Sequence, residues 1–152
     1  MATVWPNVVN WLLTTLPTLP GWSAVAVIDA APVPGGQDDT SYITVGYTGT
    51  GDTGGQYTQT ESLDGFGVDE AGHVLCDLVY QTGDDQMSVV RSAAFALVDA
   101  LRARVKSDRT LGGVLSPNGT VSISVDPLNV QNTAGVAQSL LLTFAYTTVT
   151  WN

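Results

Sequence analysis

Charge is what this chain has least of. Lys, Arg, Asp and Glu together make up 12% of its 152 residues, about half the ordinary share, and Gly, Ser, Thr, Asn and Gln supply most of the polar surface. Cations are scarcer still. Residues 1–90 contain eleven acids and no Lys or Arg, and the five cations of the chain, Arg91, Arg102, Arg104, Lys106 and Arg109, fall within one stretch of nineteen residues. With a formal net charge of -9, the chain lacks the broad basic footprint that displaces counterions from a nucleic-acid backbone, so specific DNA or RNA binding is not expected. A surface so poor in charge suits contact with other protein.

Cysteine and histidine are nearly missing too, with one of each, Cys76 and His73. One cysteine excludes an internal disulfide, and its apolar surroundings point to a small buried thiol. His73 and Cys76 are spaced like half of a metal site, but no second pair completes the four ligands of a structural zinc. His73 as the base of a nucleophilic triad has no Gly-x-Ser-x-Gly elbow to serve. The acidic pairs Asp38-Asp39, Asp84-Asp85 and Asp69-Glu70 lack the alternating spacing of a calcium loop and read as solvated turns or a helix cap. Gly49 to Gly55 is glycine-rich but has no following Lys-Ser or Lys-Thr to cradle a phosphate. Asn118-Gly119-Thr120 matches a glycosylation acceptor, which carries little weight without a secretory signal. No apolar run approaches the ~20 residues that cross a bilayer. The first 26 residues lack a basic start and contain Pro6, Pro17 and Pro20, so a signal peptide is not expected. These absences predict a soluble, cytoplasmically made protein that is not an enzyme and has no cofactor or metal.

The 44% hydrophobic content is enough for one core, and one unit over residues 1–152 is expected. Trp5, Val8, Val9, Leu12, Leu13 and Leu16 recur at three-and-four spacing, which predicts an amphipathic helix that Pro6 opens and Pro17 ends. Ala24–Ile28, Tyr42–Tyr47, Tyr57–Leu63 and Val74–Thr82 read as strands, the last two pairing around a turn at Asp64–Gly72. A long helix is predicted from Met87 to Ser107, capped by Asp84 or Asp85, with Val90, Ala94, Leu97, Val98, Leu101 and Val105 as its buried stripe. Thr110-Leu111-Gly112-Gly113 breaks it. Val121–Val125 and Val136–Thr150 look like a closing hairpin with a loop at Pro127–Gly135. No βαβ alternation is present, so the expected fold is α+β: an antiparallel sheet with two helices on one face. The long glycine-rich loops at 32–40, 48–56 and 64–72 are expected to be ordered by a partner.

Interface candidates follow from charge and aromatic content. At ~100° per residue, Arg91 and Arg102 fall on nearly the same side of the long helix with Arg109 seven further along, while Arg104 and Lys106 are expected to point elsewhere and offset the helix dipole. The bland reading of this stripe is a solvated helix face; the sharper one is a surface for an acidic neighbour, with Asp38 and Asp39 as an acidic counterpart. Trp5 belongs to the apolar stripe of the first helix. Trp11 is offset from that stripe, and because exposed aromatics are enriched in interfaces, Trp11, Trp22 and Trp151 are candidates for an exposed interface.

Over nearly its whole length the chain resembles the tail terminator, or tail completion, proteins of long-tailed phages. The resemblance rests on the short first helix with Trp11-Leu12-Leu13, an early strand followed by Pro-rich turns, Tyr42-Ile43-Thr44-Val45-Gly46, and a long basic-ended helix running into Arg109-Thr110-Leu111-Gly112-Gly113. It implies a structural protein of the virion whose copies form a ring, typically a hexamer, on the head-proximal end of the tail tube. Such a ring stops tube growth, lets DNA pass, and joins the tail to a neck or head-completion protein. The family has no catalytic residues to carry over. Neighbouring readings are another head–tail connector or minor tail protein, and, from a different class, a calcium- or glycan-binding module.

Overall fold

The computed structural model describes residues 2–29, 41–47, 54–61, 67–81, 86–132 and 135–151, the backbone alone at 128–132, 135–136 and 151. Six strands and two α-helices form an α+β fold whose sheet is mostly antiparallel. Helix α1 (Trp5–Thr15) has Pro6 in its first turn, where a missing N–H costs nothing, and continues as a 3₁₀ turn over Leu16–Thr18. Helix α2 (Met87–Ser107) has the boundaries its periodicity predicts, and its six buried residues are those of the predicted stripe. Its N-cap position falls on Gln86; Asp84 and Asp85, expected to cap it, lie outside the described residues.

The strands are β1 (Val25–Asp29), β2 (Ser41–Val45), β3 (Gly55–Glu61), β4 (Gly67–Tyr80), β5 (Thr120–Asn132) and β6 (Gly135–Trp151). They run in the order β1-β2-β4-β6-β5, with β3 on the first half of β4, beside the end of β2. Three readings of the sequence need correction. Strand β1 pairs with β2 in parallel, so the sheet is not wholly antiparallel. Residues Gly67–Gly72, expected in a turn, are the first half of β4, and β5 runs on through Pro127 to Asn132 where a loop was expected. An edge strand tolerates that proline because one of its sides needs no donor. The glycine-rich stretches 32–40, 48–53 and 62–66 lie outside the described residues, whereas Gly55 and Gln56 belong to β3.

Both helices cover one face of the sheet. Val74, Cys76 and Leu78 of β4 alternate with outward residues, and their partners Phe144, Leu142 and Leu140 on β6 line the same face. Trp11 of α1 meets Phe144 with ring centroids 6.1 Å apart. Trp22 is completely buried and its indole Nε1 donates to the carbonyl of Leu97 in α2 at 3.0 Å, tying the start of the chain to the long helix. Gly21 immediately before it has φ +82, and a Cβ there would press on Leu97, so only glycine turns the chain sharply enough to seat the indole. No helix among the described residues is long and apolar enough to cross a membrane.

A buried carboxylate fastens the first helix to the sheet. Glu70 is 1% exposed, and polar atoms so deeply placed are kept only when they are hydrogen-bonded. The Tyr146 hydroxyl donates to it at 2.6 Å, the Gln59 amide at 2.9 Å and the backbone N–H of Val4 at 3.3 Å. Burial, and then the adjoining Glu70, push the Tyr146 phenol above its ordinary range, so it stays a donor at neutral pH.

Candidate functional site

The cations are gathered by the way α2 ends. Asp108 follows the last turn, and its carboxylate accepts from Thr110 Oγ1 at 2.7 Å, Gly112 N at 2.9 Å and Thr110 N at 3.2 Å. These bonds hold the Asp108 carboxyl below its usual range, the Thr110 hydroxyl contributing most. Leu111, Gly112 and Gly113 then all take positive φ. Leu111 adopts this unfavourable conformation while fully buried, and its burial repays the strain. The reversed chain is tied down when Ser116 N donates to Thr148 Oγ1 at 2.8 Å and Val149 N to Ser116 Oγ at 3.2 Å. The Thr-Leu-Gly-Gly turn thereby fixes the end of α2 against the start of β5.

Between those two walls lies a groove of about 460 Å³. Val105, Val121 and Ile123 give it an apolar floor, and Arg102, Lys106 and Arg109 line it with three of the five cations of the chain. Arg102 donates to the backbone carbonyl of Ile123 at 3.3 Å and lies 3.6 Å from Asp99, an exposed pair worth little in itself. An apolar floor under several positive charges suits a carboxylate carried on a stem.

This grouping departs from the stripe read off the sequence. Lys106, expected to point away, stands with Arg102 because four residues make one helical turn. Arg91 is exposed on the same helix but eleven residues before Arg102, about 16 Å along the axis, and is not part of the groove. Arg104 turns the other way and lies over the Trp11 ring at 5.9 Å. Trp11 and Trp22, expected at an exposed interface, are 8% and 0% exposed and belong to the core; Trp11 is offset from the apolar stripe of α1 but packs on Phe144 of the sheet, and Trp22 is enclosed beside α2. Asp38, Asp39 and the side chain of Trp151 lie outside the described residues.

The remaining candidate chemistry does not converge. His73 and Cys76 stand on opposite faces of β4, with Cys76 in the core. Among the described residues no three of His, Cys, Asp and Glu gather closely enough to hold a metal ion. Burial pushes the Cys76 thiol up to about 12, opposed only partly by a hydrogen bond with the Gly46 backbone. Native protein at pH 8 is therefore expected to leave a thiol-reactive chromogen unreacted for hours and to release one equivalent at once in denaturant. Rapid stoichiometric reaction of the folded protein would show that the thiol is neither buried nor inert. No known family model matches the chain, and no curated protein matches it.

Proposed function

We propose that this chain is a virion assembly protein of a long-tailed phage, a tail terminator whose copies form a ring on the head-proximal end of the tail tube. The observation that carries this reading is the segregation of charge: three cations in one groove, on a chain whose first 90 residues bear only acids. A basic site and an acidic site on different parts of one surface favour head-to-tail contact between copies, and such contacts close into rings when the rotation between copies permits. The α+β fold and the charge-poor polar surface are compatible with a role made of protein contacts. In this reading the tube end and the neck protein are the other partners, and DNA passes through the ring unbound because a chain of net charge -9 repels its backbone.

The test is the length and completion of tails. A phage deleted for this gene should make tubes that overgrow or fail to join heads. Purified protein added to growing tubes should arrest them at a defined length, with rings visible at one end by electron microscopy. Tubes that keep growing, bare at both ends in the presence of excess protein, would remove the proposal.

A further inference from the structure

Strands β3 and β5 bound opposite sides of the β3-β4-β6-β5 part of the sheet, and each pairs with one strand among the described residues. An antiparallel ladder alternates residues that bond to the partner with residues that turn their backbone groups away. Leu75 N donates to the carbonyl of Gly54 at 2.9 Å, so Gly55, Tyr57, Gln59 and Glu61 direct their N–H and C=O groups away from β4, to the edge that no other described strand pairs with. On β5 the carbonyl of Ile123 receives Arg102 from α2, which places Val121, Ile123 and Val125 on the other free edge. Pro127 falls on the same alternation, where its missing N–H deprives no neighbour within the chain.

Side chains agree with the backbone. Register with Val68, Glu70 and Gly72 sets Glu61, Gln59 and Tyr57 on the helix-covered face, the face onto which the basic groove opens. Tyr57 is 45% exposed, one of two large hydrophobic residues left so among the described residues, and Glu61 is exposed. Strand β3 carries no Lys or Pro, two residues that ordinarily blunt a free strand, whereas the β5 edge is shielded at Ile123 by Arg102.

We infer that the β3 edge of one copy adds antiparallel to the β5 edge of a second copy, with Glu61 entering the groove of Arg102, Lys106 and Arg109. The direction follows from the topology, since β3 and β5 already run oppositely within one sheet. Tyr57 of one copy then lies opposite Val125 of the other, Gln59 opposite Ile123, and Glu61 opposite Val121. The backbone N–H of Gln59 takes over the Ile123 carbonyl, and the displaced Arg102 turns to the incoming carboxylate. This assignment rests on the ring reading above and names its contact.

Disulfide trapping separates the two. In this register the exposed Thr58 lies opposite Ser124 and Thr60 opposite Ser122, both as close pairs on the uncovered face. The double variant Thr58→Cys/Ser124→Cys, oxidised under conditions in which rings form, should give a ladder of cross-linked copies on a non-reducing gel. Either single variant should stay monomeric on that gel, since Cys76 is buried. The pair Thr60→Cys/Ser122→Cys repeats the test should the first variant misfold. Rings seen by electron microscopy without a ladder from either folded double variant would overturn the strand pairing and leave the ring reading standing. Absence of both rings and ladder would overturn both.

Discussion

Lys106→Glu together with Arg109→Glu is expected to yield a folded protein that no longer assembles, and a phage complemented with it should make overlong or unjoined tails. Both side chains are exposed. Removing a cation from the last turn of α2 costs ~0.3–1 kcal/mol through the helix dipole, and an exposed residue beyond the helix less than ~0.5 kcal/mol. In the proposed contact the loss on assembly is expected to be far larger, because the groove that would receive Glu61 would now repel it. Like charges set against each other across an interface cost several kcal/mol, about a hundredfold or more in contact affinity. Adding Glu61→Lys to the same chain should restore much of the loss. Arg91→Glu, on the same helix but outside the groove, should change assembly little. Circular dichroism establishes folding, and tail length with titre gives the readout. A folded double variant that supports normal tails would show that the groove is only a solvated surface.

The largest effect on stability is expected at Trp22. Trp22→Ala should lower the free energy of unfolding by ~3–5 kcal/mol, a large share of the ~5–15 kcal/mol that holds a typical domain together. The indole is completely enclosed and spans from the turn after α1 to the middle of α2, so its removal leaves a cavity between two elements that cannot easily close on it. Trp22→Phe keeps most of the apolar volume and loses the N–H donated to Leu97. It should cost less than the alanine variant. Tyr57→Ala, at a largely exposed position, should leave unfolding unchanged within ~0.5 kcal/mol while weakening assembly. The shift in urea midpoint at unchanged slope measures each. A Trp22→Ala loss below ~1 kcal/mol would mean that the indole is not the tie between helix and turn described above.

Periodicity carried the helices and located all six strands, but it misjudged how far β4 and β5 extend, for identifiable reasons. The stripe from Val90 to Val105 repeats over about four turns, so both ends of α2 were readable. Residues Gly67–Gly72 were read as a turn because two glycines and two acids cluster there. In the fold those acids have separate tasks: Glu70 is buried under three hydrogen bonds while Asp69 faces solvent. Nothing local distinguishes them, since the partners of Glu70 come from residues 4, 59 and 146. The parallel pairing of β1 with β2 depends likewise on how the chain returns through a long connection, which hydrophobic pattern does not encode.

The basic groove was partly legible. The confinement of all cations to one stretch was plain in the sequence, and the four-residue spacing of Arg102 and Lys106 was enough to place them together. The wall contributed by Val121 and Ile123 was not foreseeable from charge, because it depends on three successive left-handed residues bringing β5 alongside α2. The indoles of Trp11 and Trp22 were misplaced for a related reason. A helical wheel counts only the neighbours Trp11 has on its own helix, and no helical pattern covers Trp22; both are buried by what packs across from them.

Gly72 and Tyr146 face each other across β4 and β6, and a Cβ on Gly72 would lie 2.6 Å from the phenol oxygen. That oxygen is also the closest donor to Glu70. The three positions therefore form one unit of inheritance, within which the order of change is constrained. A side chain can arise at 72 only after the ring at 146 has shrunk, and the ring can shrink without penalty only once the carboxylate at 70 has gone or found another donor. A lineage starting from this sequence should cross that path by losing the acid first.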